Sequence, residues 1–277
     1  MGLGVPLGEI ALLIGALLAA GFVTGVLAGL LGIGGGSILV PVLYELFRAL
    51  GVNEAVRMHL AVGTSLAVIV PTSLRSFAGH RARGAVDMGL VRSMALPVIV
   101  GVALGAVLAR YTDEAVLQGI WVAAASLIAL KLFFFSGPDW RLGAEIPGQP
   151  FRTIYGGFVG LLSTLMSIGG GVFITALMTF YGHAMQRAVA TSSAFGPIIA
   201  IPGALGFVWA GWHAAGLPPG SLGYVSLLGA LLIVPSSVLA APLGVGMAHG
   251  ISRRKLELAF ATFLALVGVR FLFSLID

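Results

Sequence analysis

The chain contains no cysteine, which excludes disulfides, thiolate metal sites and cysteine nucleophiles and leaves the redox compartment undetermined. Charge is also scarce. Asp, Glu, Lys and Arg make up 9% of the 277 residues, far below the share that a soluble domain carries on its surface. What fills the space is apolar: 58% of the residues are hydrophobic and the mean hydropathy is +1.07. Apolar runs long enough to cross a hydrocarbon core of about 30 Å recur along the whole length, and no polar segment is large enough to form a second domain. Residues 1–277 therefore read as a single transmembrane domain, an all-α integral membrane protein of a cell membrane with the lipid bilayer as its first partner.

The usual enzymatic constellations are missing as well. The five histidines are scattered without an HExxH or other metal-binding spacing, so no metal is expected. There is no Walker motif, no GxSxG elbow and no cofactor fingerprint, and the chain does not read as an enzyme. None of the ten acidic residues falls clearly at the middle of a long span, which removes the obvious candidates for a carboxylate proton relay or an acidic sodium site. A pI of about 10.1 would suit nucleic acid, but the 15 Lys and Arg stand singly or in short clusters between apolar runs, as in loops that set topology. The amino terminus has no Lys or Arg before its apolar run, so Met1 onward reads as mature protein.

Hydropathy predicts helices over about 9–31, 37–50, 58–79, 86–110 and 115–135. A polar linker at about 136–150 follows, and further helices are expected over 151–168, 172–182, 186–211, 221–248 and 254–275. The two halves, about 9–135 and 151–275, have the same order of elements. They also match in residues. Gly25, Leu27, Leu30, Ile33 and Gly34-Gly35-Gly36 correspond to Gly160, Leu162, Leu165, Ile168 and Gly169-Gly170-Gly171 at one constant offset. After a shorter loop Ala61-Val62-Gly63-Thr64-Ser65 aligns with Ala188-Val189-Ala190-Thr191-Ser192, and Pro97 and Pro235 fall at similar places in the fourth element. This is an internal duplication.

One kinked span over 9–50 would be roughly 60 Å long, about twice the hydrocarbon thickness, so each glycine-broken run must fold back on itself. Five helical elements per half then invert the second half relative to the first. With that arrangement eleven Lys and Arg fall on one side and four (Arg48, Arg57, Arg110, Arg270) on the other, whereas a single span per half divides them eight against seven. Only the hairpin arrangement obeys the positive-inside rule, and it leaves both termini outside the cytoplasm.

Three consecutive glycines in an apolar run should take the backbone out of helical geometry. The freed groups are tolerated in a membrane only where protein or a polar cavity satisfies them. Helices beginning at Ser37 and Val172 would aim free N–H groups and a positive dipole end at an anion. A tight hairpin packed on a neighbour is the alternative. Thr64, Ser65, Thr191, Ser192 and Ser193 carry short hydroxyls able to donate to substrate oxygens, or to bond their own helices. Arg57, His59, Gln186 and Arg187 precede them and would attract an anion, or simply anchor at the interface. Gly21, Gly25, Gly29, Gly101 and Gly105 have the small-xxx-small spacing of helix packing.

The stretches GLLGIGGGSILVPVL (29–43), GLLSTLMSIGGGVFITAL (160–177), AVATSS (188–193) and HRARGAVD (80–87) resemble the sulfite exporter TauE/SafE family of membrane permeases, and the resemblance covers almost the whole chain. It implies export of a small sulfur-containing anion such as sulfite, sulfoacetate or a related organosulfonate across a bacterial cytoplasmic membrane. Onto this chain it carries only Gly34 to Gly36, Gly169 to Gly171 and the hydroxyl pairs that follow. Ala176 stands where the first half has Pro41, so the two hairpins need not be equivalent. The expectation is a secondary transporter working by alternating access. An anion channel and a non-transporting assembly or receptor subunit are the alternatives, and a homo-oligomer stays open.

Overall fold

A computed structural model describes residues 7–31, 36–134, 142–143, 145–247 and 253–276. Among them are ten helices, five from each half of the sequence. They are α1 (Leu7–Leu31), α2 (Gly36–Ala49), α3 (Glu54–Ala82), α4 (Met88–Tyr111), α5 (Glu114–Phe134), α6 (Phe151–Met166), α7 (Gly171–Phe180), α8 (Met185–Ala210), α9 (Leu227–Met247) and α10 (Arg253–Ile276). Five of them, α3, α4, α5, α8 and α9, are long and apolar enough to cross a membrane by length and composition. Shorter apolar segments lie in α1, α7 and α10.

Where the expected boundaries shift, local chemistry gives the reason. α3 starts at Glu54 rather than Met58 because the Asn53 side chain caps it, its Oδ1 accepting from the Ala55 N–H at 3.0 Å. The helix expected from residue 221 starts at Leu227 instead. Residues 221–226 form a two-stranded antiparallel hairpin, Ser221 opposite Ser226 and Leu222 opposite Val225. Gly223, at φ 53°, turns this hairpin with its backbone pressed against Val208 at the end of α8, a place with no room for a Cβ.

Small residues set the packing. α1 lies parallel to α9 with Gly21 against Ile233, Gly25 against Ser237 and Gly29 against Ala241, while Gly244 returns the contact to Val26. α4 lies parallel to α6 in the same manner, Gly101 against Gly157 and Gly160 against Val98. Without side chains between them the backbones approach closely, the device by which membrane helices associate where no hydrophobic drive exists. α3 and α8 cross the centre antiparallel, Gly63 beside Phe207 and Ser73 beside Gly196. α5 and α10 are also antiparallel, with Gln118 donating to the Phe271 carbonyl and Arg254 to that of Phe133. The long helices thus pair across the two halves, while the short α2 and α7 pack on α3 and α8 of their own half.

Candidate functional site

At the second glycine run the chain leaves helical geometry. α6 ends at Met166, and Ser167 adopts the left-handed conformation (φ 52°, ψ 39°) while the Ile168 N–H closes back on the Ser163 carbonyl at 2.9 Å. Gly170 follows at φ 71° and caps α7, a backbone that glycine alone adopts cheaply. Its Cα faces Ile199 and Phe195 of α8 closely enough that even a methyl group would collide with Ile199. Gly169 is buried beside it and Gly171 begins α7.

At the first run, Gly34 and Gly35 lie outside the described residues. Gly36 opens α2, and its Cα is pressed against the Ser167 carbonyl oxygen and the Ile69 side chain of α3. The first break therefore abuts the second. Within one helical turn of this contact, along their own segments, stand Ser37 on α2, Ser65 on α3, Ser163 on α6 and Ser167 just after its end. Each hydroxyl is fully buried and has no hydrogen-bond partner. A buried unpaired hydroxyl costs about 1–3 kcal/mol, so four in one neighbourhood demand a purpose. Ser37 and Ser65 belong to the set expected from sequence. Ser163 and Ser167 do not, although two serines one turn apart immediately before a glycine break were a legible signal.

The other hydroxyls expected from the sequence are engaged within the protein. Thr64 Oγ1 accepts from the Ser226 N–H at 2.8 Å, and Thr191 Oγ1 accepts from the Asp87 N–H at 2.9 Å. Each threonine thus holds the residue that introduces the fourth helix of the opposite half. Ser192 bonds the Val189 carbonyl and accepts from Thr175, and Ser193 bonds the Ala190 carbonyl.

The four residues expected to attract anions lie at the two ends of the bundle. Arg57 donates to the Val52 carbonyl at 3.1 Å and stacks over Tyr44. His59 is buried with Nε2 3.0 Å from the Ala109 carbonyl and its ring against Tyr224. At the opposite end Gln186 is exposed, and Arg187 pairs with Asp87 at 2.8 Å. The Leu90 N–H, together with that guanidinium, holds the Asp87 carboxyl below the ordinary carboxylate range despite its partial burial.

A file of polar residues that the sequence reading did not single out runs along the last turns of α3. Thr72 meets Ser237 at 2.8 Å, Ser76 and His80 reach the Ala28 and Gly29 carbonyls near the end of α1, and Arg83 donates to the Val245 carbonyl at 2.8 Å. Near-fourfold spacing of polar residues was the available signal. A cavity of about 280 Å³ opens beside them, lined by Arg75, Gly79, Arg83 and Val245. A second, of about 310 Å³, is lined by Asp87, Leu90, Glu145, Arg152 and His183.

The family model described as "Sulfite exporter TauE/SafE" matches residues 17–271. A probable membrane transporter protein of Haemophilus influenzae is 31% identical over 253 residues, spanning 91% of this chain and 95% of that protein. Another, from Methanocaldococcus jannaschii, is 28% identical over 94% of this chain and 96% of its own length. The Bacillus subtilis probable membrane transporter protein YunE is 25% identical over 93% and 97% respectively. No solved structure matches the chain.

Proposed function

The chain belongs to the sulfite exporter TauE/SafE family of membrane transporters, and on that premise we propose that it is a secondary transporter exporting a small sulfur-containing anion, such as sulfite or an organosulfonate, by alternating access. The observation that carries this reading is the meeting of the two glycine breaks, Gly36 on the Ser167 carbonyl, in a buried setting with unpaired hydroxyls around it. Substrate binding is assigned to this junction: Gly36 with Ser37 and Ser65 from one half, Gly169 to Gly171 from the other, while Gly34 and Gly35, outside the described residues, are given the same role by the duplication alone. Thr64, Thr191, Ser192 and Ser193 line the adjoining turns of α3 and α8.

Alternating access requires two states of similar energy, which inverted repeats supply. The inverted reading is supported by helix directions. α3 is antiparallel to α8, its counterpart, and α1 and α6 run with α9 and α4, so that they too oppose each other. Arg81, Arg83, Arg92, Arg152 and Arg187 gather at the end where α3 stops and α4, α6 and α8 begin, which the positive-inside rule assigns to the cytoplasm. Both termini then lie outside it. Outward movement of an anion gains about 2.3 kcal/mol per charge at 100 mV, enough to drive export without a coupling ion.

Purified protein in liposomes tests the proposal. Efflux of labelled sulfite driven by an inside-negative potential is expected, abolished by Gly36→Leu. Unitary currents beyond a carrier's turnover would replace the transporter with a channel, and the absence of any anion flux would leave a non-transporting subunit.

A further inference from the structure

The four unpaired hydroxyls at the junction differ in kind from an ordinary anion site. We infer that Ser163 and Ser167 complete, with Ser37 and Ser65, a binding site of neutral donors that takes a singly charged oxyanion and rejects a doubly charged one. The inference rests on the transporter reading given above and narrows its substrate.

The geometry carries it in two steps. Gly36 touches both the Ser167 carbonyl and Ile69, so the start of α2 is wedged between the end of α6 and the middle of α3. Ser37 follows Gly36 directly, Ser163 lies one turn before Ser167, and Ser65 one turn before Ile69. All four oxygens are shielded from solvent and lack any protein acceptor for their protons. Donors so placed suit the oxygens of a small anion, and charge-assisted bonds of this type are about twice as strong as neutral ones.

The second step concerns what is missing near them. On α3 the nearest charged or basic groups are His59, bound to the Ala109 carbonyl, and Arg57, bound to the Val52 carbonyl, before Ser65, and the exposed Arg75 after it. They stand six, eight and ten residues from Ser65, about 9, 12 and 15 Å along the axis. On α2 the nearest is Glu45, paired with Arg48 and Arg270. On α6 it is Arg152, held by the Ile146 and Pro147 carbonyls. Further along α3 His80 holds the Gly29 carbonyl, and on the helices packed around these Arg187 is taken by Asp87, Arg110 stacks on Trp209, and Arg92, Glu114 and Lys131 lie near helix ends. No cation therefore stands against the hydroxyls among the described residues. A second negative charge buried there would have only neutral dipoles, the hydroxyls and the N–H groups that open α2 and α7, to replace its water, and burying a charge that no opposite charge meets is costly. Hydrogensulfite and simple sulfonates fit this site, whereas the sulfite and sulfoacetate dianions do not.

The test uses wild-type protein in liposomes at neutral pH with labelled methanesulfonate, which carries one charge, and sulfoacetate, which carries two. Methanesulfonate flux at least about tenfold faster is expected. Sulfoacetate carried equally well overturns the inference while leaving the transporter intact, and failure of both anions together with sulfite at any pH overturns the transporter reading and the inference with it. Ser163→Ala, and Ser167→Gly to keep the left-handed backbone, are each expected to weaken methanesulfonate affinity about tenfold. Unchanged affinity in both variants, with normal gel-filtration profiles, would also overturn the site. Should a variant misfold, the comparison of the two anions on the wild type still decides.

Discussion

Thr64 Oγ1 accepts a hydrogen bond from the backbone N–H of Ser226, 162 residues further along the chain, and Thr191 does the same for Asp87. Both threonines are completely buried. Replacing either by valine keeps the shape and strands an N–H, buried at Ser226, where the loss costs about 1–3 kcal/mol, and partly buried at Asp87, where it costs less. A lower midpoint in detergent thermal unfolding is expected for each single variant. Equal midpoints for Thr64→Val and wild type would show that the bond does not hold α9 in place.

The Asp87 carboxylate caps α4 and faces Arg187. Its folded pKa is depressed, so the stability it adds is fully present above the unfolded value of about 4 and is lost as pH falls through the folded one. Asp87→Asn retains a capping side chain and should cost little, since Arg187 is half-exposed. Asp87→Ala should cost about 1 kcal/mol near neutrality, with the difference from wild type vanishing in acid. Unfolding midpoints of the three proteins between neutral pH and pH 3 decide the matter.

Gly101 and Gly119 make a matched pair. A Cβ at Gly101 would strike the Gly157 carbonyl, whereas at Gly119 nothing lies within 4 Å. Gly101→Ala should therefore part α4 from α6 and lower both the yield of folded protein and its unfolding midpoint. Gly119→Ala should be neutral or slightly stabilising, since alanine is the better helix former by about 1 kcal/mol. Gel-filtration profiles after detergent extraction would separate the two outcomes.

Gly170→Ala tests the second break. The left-handed backbone costs a substituted residue about 1–2 kcal/mol, and the added methyl would meet Ile199 Cδ1 at 2.5 Å. Loss of transport with retained membrane insertion is expected. Wild-type flux would mean that the break tolerates reshaping and does not position the substrate.

Because the chain lacks cysteine, single introduced thiols report topology without background. Gln186 at the start of α8 and Ala215 in the loop beyond its other end are both exposed. Gln186→Cys should react only with reagents that reach the cytoplasm, and Ala215→Cys with impermeant reagents added outside. Reversed labelling would turn the assigned orientation over, and labelling of both from one side would end the crossing assignment for α8.

Much of this arrangement was legible in the residues. Helix positions followed from apolar runs bounded by glycine, proline and charge, and the duplicated glycine runs marked breaks whose second copy has the expected irregular backbone at Ser167 and Gly170. Legibility failed where a role depends on a distant partner. Nothing local distinguishes Thr64, which holds Ser226, from Ser65, which holds nothing. Ser163 and Ser167 read as ordinary helix hydroxyls until the approach of Gly36 places a second half beside them. The hairpin at 221–226 escaped for a similar reason, since hydropathy runs smoothly into α9 and only the closeness of Gly223 to Val208 explains the turn.

The pairing of α1 with α9 and of α4 with α6 has a consequence for how the protein is made. When the ribosome has released the first five helices, the glycine faces of α1 and α4 have no surface to meet, because their partners have not been synthesised. The first half must wait in the bilayer, its bare backbone ridges and the Thr64 hydroxyl unengaged, until the second arrives. Biogenesis is then governed by the last helices to emerge, and a chain truncated before α9 would leave an incomplete bundle for the membrane's quality-control proteases.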